Sequence, residues 1–116
     1  MSGQIVNSDT LFKQLLKNVN GFEKQKITEA YTLAKDAHEG QYRKSGEPYI
    51  THPLHVAMYL AEIGMDEETV ISAILHDVIE DTSTKLATIK KKFGKDVGLI
   101  VDGVTKLDKM HKTYSL

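Results

Sequence analysis

Residues 66–84 read DEETVISAILHDVIEDTST, and the fold turns on how this stretch is read. Val70, Ile71, Ala73, Ile74, Leu75, Val78 and Ile79 recur at helical spacing. Their arc is too wide for a helix lying on a surface, so the spacing predicts a central, buried one. Asp66 suits the cap position, with Glu67 and Glu68 in the first turn, where the helix dipole favours negative charge. Asp81-Thr82-Ser83-Thr84 breaks the pattern. Inside this apolar frame stand His76, Asp77, Glu80 and Asp81. Buried carboxylates need partners, usually a metal, a base or hydrogen-bond donors. His76 and Glu80 are four residues apart and share one row of the helix, while Asp77 and Asp81 share the adjacent row. The stretch therefore presents one imidazole and three carboxylates as a compact patch. Such a patch can hold a divalent cation and place a general base beside it. In the competing reading, Asp81 caps the next helix and His76 is a satisfied core histidine.

Outward from this helix the period stays helical. Phe12, Leu15, Leu16 and Val19 form a stripe after the candidate caps Ser8 and Asp9, ended by Asn20-Gly21. A second helix is expected from Glu23 to Glu39, with Ile27, Ala30, Tyr31, Ala34, Ala37 and His38 on its apolar face. A third starts at Thr51 or His52, with Pro53 in its first turn, and ends at Gly64. Downstream, Leu86, Ile89 and Phe93 mark a fifth helix stopped by Gly94. Val97, Ile100, Val101, Val104 and Leu107 mark a sixth. The tail from Asp108 to Leu116 is polar and has no clear period. With no internal repeat and no alternating strand, the expectation is one all-α domain of six helices and no sheet.

The composition narrows the function. The formal net charge of −1 supplies no field for DNA, so a polyanionic ligand needs a local cluster of positive charge. The absence of cysteine excludes disulfides and thiolate metal sites. No signal-like or membrane-spanning apolar run is present, so the expected setting is the cytoplasm, with no membrane partner.

The loop from Gly40 to Thr51, GQYRKSGEPYIT, is long for a helical connection, and such loops are often functional. It carries Arg43-Lys44-Ser45. Arg43 is the only arginine among 15 basic residues. Its planar fork can grip a phosphate bidentately or stack on a base, although a solvated loop charge would read the same way in the sequence. His52 closes the loop, where it is either functional or an ordinary helix-start residue. His55, one turn on, could compete with it as a ligand. His38 is read as a packed, hydrogen-bonded side chain and His111 as solvated. Lys90-Lys91-Lys92 with Lys95 is read as the wet face of the fifth helix.

The segments AYTLAKDAHEGQYRKSGEPYITHP, ILHDVIEDT and FGKDVGLIVDGVTKL follow one another in this order. Over about residues 22–107 the chain resembles the N-terminal part of the HD hydrolase domain of the RelA/SpoT family. That resemblance implies a helical HD bundle that removes the 3′-pyrophosphate of (p)ppGpp in the stringent response. Water attacks the pyrophosphate on the ribose 3′ oxygen, yielding GDP or GTP and pyrophosphate. The family's metal, typically manganese, is held by two histidines and two aspartates, and His52, His76 and Asp77 match three of them. Glu80 and Asp81 match the pair that handles the attacking water. Arg43, Lys44 and Ser45 match the segment that contacts the nucleotide.

Two departures shape the expectation for this chain. The family's fourth ligand belongs to a later helix, expected beyond Leu116, and neither Asp102 nor Asp108 sits in that motif. The synthetase and regulatory domains also do not appear within residues 1–116. The chain is therefore read as the N-terminal part of an HD hydrolase domain from a bifunctional GTP pyrophosphokinase/(p)ppGpp hydrolase, weak or inactive alone. Its implied partners are (p)ppGpp or GDP/GTP and the downstream synthetase domain. Two alternatives are a nucleotide-binding regulatory fragment without turnover, and another HD phosphohydrolase acting on a cyclic or deoxynucleotide. Arg43-Lys44-Ser45 and residues 93–107 count against the last.

Overall fold

The computed structural model describes residues 7–114; the side chains at 81, 108, 109 and 111–114 fall outside that description, as do the readings of His111 and of the Asp81 side chain. Six helices follow in order: α1 (Ser8–Lys17), α2 (Lys24–Ala37), α3 (Thr51–Glu62), α4 (Glu67–Asp81), α5 (Leu86–Phe93) and α6 (Lys95–Tyr114). Among the described residues there is no strand, only one isolated antiparallel bridge between Tyr42 and Pro48.

Helix α4 lies at the centre, packed against α6, α3 and α2, while α1 covers α3 and α5 covers α6. Val70, Ile71, Ile74, Leu75 and Val78 are fully buried, as the width of the apolar arc predicts. Leu15, Ile27, Leu54, Ile89, Phe93 and Val97 close around them from the other five helices. Asp66 caps α4 through a 2.9 Å hydrogen bond from the Thr69 N–H. Glu67 in the first turn of α4 also accepts a 2.9 Å bond from the Glu23 N–H, satisfying a donor at the start of α2.

Three local expectations differ from the structure. The cap of α1 is Asn7, whose side chain accepts from the Asp9 N–H. Ser8 and Asp9 instead turn toward α2. Ser8 Oγ lies 2.7 Å from the Tyr31 hydroxyl, and Asp9 accepts hydrogen bonds from Tyr31 and Lys35. The sixth helix does not stop at Leu107 but continues to Tyr114. Its last turns lack an apolar stripe, so the periodicity fades while the backbone ladder and good helix formers such as Lys109 and Met110 carry the helix on. The 38–50 connection is also more ordered than a plain loop. Arg43 N–H donates to Glu47 O and Tyr49 N–H to Gln41 O, both at 2.8 Å, folding it into a tight hairpin. Gly46 closes that turn at φ +94°, a backbone region that side chains with a Cβ rarely adopt.

Candidate metal centre

His76 and Asp77 stand on the inner side of α4, in its third turn. His76 Nε2 lies 3.0 Å from Asp77 Oδ1, and the two side chains are only 20% and 10% exposed. His76 Nδ1 lies 3.2 Å from the Ala73 carbonyl one turn back. This contact holds the ring edge and directs Nε2 at the carboxylate, the arrangement in which histidines commonly present one nitrogen to a metal. The hydrogen bond to Asp77 raises the His76 pKa, and burial only partly opposes it. For Asp77, burial alone would push the carboxyl up. The hydrogen bonds from His76 and Tyr49 outweigh burial, and the carboxyl is held below its usual range.

Tyr49 was not singled out by the sequence reading. Its hydroxyl donates to Asp77 Oδ2 at 2.8 Å, so both oxygens of this buried carboxylate are engaged. The Tyr49 ring packs on His38 with centroids 4.8 Å apart and meets the His52 ring edge-on at 6.0 Å. His38 is itself buried, and its Nδ1 lies 3.0 Å from Gln41 Oε1, as its packed and hydrogen-bonded reading anticipated. The only signal for Tyr49 in the sequence was its place in the loop three residues before His52.

His52 is half-buried at the start of α3. It lines a largely apolar cleft with His76, bounded by Val56, Ala73, Ile100 and Val104. Burial lowers its pKa, and the nearby Arg43 charge lowers it further, so the neutral, ligating form of the imidazole is favoured. His55 is exposed. Arg43, Lys44 and Ser45 are exposed on the hairpin, where with Tyr42 and Tyr49 they line a cleft of about 460 Å³. Glu80 is half-buried on the same row as His76. Asp102 forms a 3.0 Å ion pair with Lys106 along α6.

The donor types are those a divalent cation takes: two imidazoles and an ionised carboxylate. Among the described residues, however, no three histidine or carboxylate side chains group closely enough to hold a metal ion. His76 and Asp77 are directed at one another, and His52 lines the same cleft as His76.

A sequence model of the HD domain matches residues 30–115. Over 86 residues the chain is 55% identical to a guanosine-3′,5′-bis(diphosphate) 3′-pyrophosphohydrolase of Aquifex aeolicus and to the bifunctional (p)ppGpp synthase/hydrolase SpoT of Escherichia coli K12. It is equally similar to a GTP pyrophosphokinase of Streptomyces antibioticus. Each match takes in 74% of this chain and 10–12% of the relative, so the chain spans about an eighth of the length of these relatives or less.

Proposed function

Because the chain belongs to the HD domain family, in the RelA/SpoT type of that family, we propose that it carries the hydrolytic site for the 3′-pyrophosphate of (p)ppGpp. The observation that carries this reading is the position of Tyr49. It lines the Arg43-Lys44-Ser45 cleft and hydrogen-bonds Asp77, so the cationic loop and the His-Asp pair share one wall. A phosphate-rich ligand gripped by Arg43 and Lys44 then lies beside the groups that favour water attack. The chain's net charge of −1 leaves this local cluster as the means of attracting such an anion.

His52, His76 and Asp77 would hold a divalent cation, manganese by the family resemblance. That cation would lower the pKa of water and polarise the phosphate. The protein's own contributions are more specific. The Ala73 carbonyl lies against His76 Nδ1, and the Tyr49 hydroxyl donates to Asp77. Glu80 follows one turn after His76 on α4, and by the family resemblance it and Asp81 accept a proton from the attacking water. Arg43 binds the nucleotide by charge and shape. Binding the cation requires His76 and Asp77 to exchange their mutual hydrogen bond for it. The relatives are many times longer than this chain, which supports its placement as the N-terminal part of a hydrolase domain that continues into a synthetase.

A substrate panel tests the reading. The parent protein, supplied with manganese, is expected to release pyrophosphate from ppGpp and pppGpp and to leave cyclic and deoxynucleotides untouched. Preference for a cyclic or deoxynucleotide would replace this function with that of another HD phosphohydrolase. Tight guanine-nucleotide binding without turnover would favour the regulatory alternative.

A further inference from the structure

We infer that Tyr49 is a positioning residue for Asp77, tying the orientation of that carboxylate to the 38–50 hairpin. The inference rests on Asp77 being a metal ligand and names a residue that the ligand set does not include.

A carboxylate on a helix can rotate about two side-chain torsions. When it is buried, each oxygen must also find a donor or pay the desolvation penalty. Asp77 is 7% exposed, and its two oxygens have different partners. Oδ1 faces His76, which lies on the same helix and moves with it. Oδ2 accepts from Tyr49, 28 residues away on a different element. Only the second bond fixes the carboxylate relative to the rest of the site.

Tyr49 is in turn held on three sides. Its backbone N–H donates to Gln41 O at 2.8 Å, which is the closing bond of the hairpin. Its ring packs on the buried His38, whose Nδ1 is anchored by Gln41. On another side the ring meets His52 edge-on. One phenol thus touches both the carboxylate and an imidazole of the candidate ligand set, and its hydroxyl donates to the oxygen that His76 does not reach. Partners of this kind around metal ligands commonly change metal affinity by about 10- to 100-fold. Phenylalanine at this position keeps the ring contacts and loses only the donor.

The test is manganese binding to the 116-residue chain, followed by electron paramagnetic resonance of the free ion up to millimolar concentration. Wild type, Tyr49→Phe and Asp77→Asn are compared, with far-ultraviolet circular dichroism and thermal melting run in parallel. Tyr49→Phe is expected to weaken binding about 10-fold or more while its helical signal stays close to wild type, with a melting temperature lowered by several degrees because the buried Asp77 oxygen loses its donor. Asp77→Asn is expected to lose binding. Unchanged affinity in Tyr49→Phe, with binding lost in Asp77→Asn, would overturn the role of Tyr49 alone. Equal behaviour of Asp77→Asn and wild type would overturn the metal reading beneath it. Loss of helical signal in Tyr49→Phe would mark the residue as a structural support and would also overturn the proposal.

Discussion

At Asp77 two opposing effects act on one carboxyl group. Burial favours the neutral acid, and the donors His76 and Tyr49 favour the anion and prevail. Half of this arrangement was legible in the sequence. His76 and Asp77 are neighbours on an apolar helix, where polar side chains call for partners. Tyr49 was not legible, because helical spacing carries no information about a contact between a loop and a helix 28 residues apart. The same holds for the hairpin that carries Arg43. Its composition announced a turn, but not the cleft it forms with Tyr49. If Arg43 grips phosphate through its planar fork, Arg43→Lys keeps the charge and loses a charge-assisted hydrogen bond, which is worth roughly 1.5 kcal/mol or about 10-fold in kcat/KM. Steady-state hydrolysis of ppGpp by the parent protein measures this, and kinetics within about twofold of wild type would make Arg43 a solvated loop charge.

Asp9 gives a second residue-scale prediction, independent of the site. The hydrogen bond from Tyr31, and then that from Lys35, hold its carboxyl below the ordinary value of 3.8. A carboxyl depressed in the folded state stabilises the fold above its unfolded pKa, and that contribution fades as pH falls through the folded value. The Tyr31 hydroxyl, raised by burial and by its bond to Asp9, agrees in sign. Thermal melting of wild type and Asp9→Asn should therefore differ at neutral pH, with wild type the more stable. The two should begin to converge below about pH 4 and meet once the pH has fallen through the depressed folded value. A gap that persists at low pH would mean the bond contributes independently of the charge on Asp9.

At the scale of elements, all six helices were legible from their apolar stripes, and their ends were less so. A cap depends on where a short side chain turns. Ser8 and Asp9 have the right chemistry for capping but spend it on Tyr31 and Lys35 of α2, leaving Asn7 to cap α1. Asp66, with no such competitor, caps α4 as its sequence suggests. Asp66→Ala should cost about 1 kcal/mol of stability. The end of α6 was hidden for a different reason: beyond Leu107 the sequence is polar and offers no apolar stripe to read. Gly103 lies within this helix with open space around the position a Cβ would take. Gly103→Ala should therefore stabilise the chain by about 0.5–1 kcal/mol. Urea unfolding of both variants checks the pair, and a destabilising Gly103→Ala would show that α6 is covered there by contacts these residues do not reveal.

Across the whole molecule, α4 is both the centre of the core and the carrier of the His-Asp pair. Ile74 and Val78 are fully buried and flank that pair along the helix. Ile74→Ala should cost about 2–5 kcal/mol, against a total stability of about 5–15 kcal/mol for a typical domain. Such a loss would also slacken the helix that holds His76 and Asp77. Among the described residues no helix is long and apolar enough to cross a membrane. The site is carried by the one helix that packs against three others, α6, α3 and α2. The central claim is that the His76-Asp77 pair is a hydrolytic metal site. The most direct measurement is pyrophosphate release from ppGpp by the parent protein as manganese is added, with wild type and Asp77→Asn side by side. The account predicts turnover that rises with manganese in wild type and falls at least about 100-fold in Asp77→Asn while the fold persists. Equal turnover by the two proteins, or turnover indifferent to manganese, would contradict it.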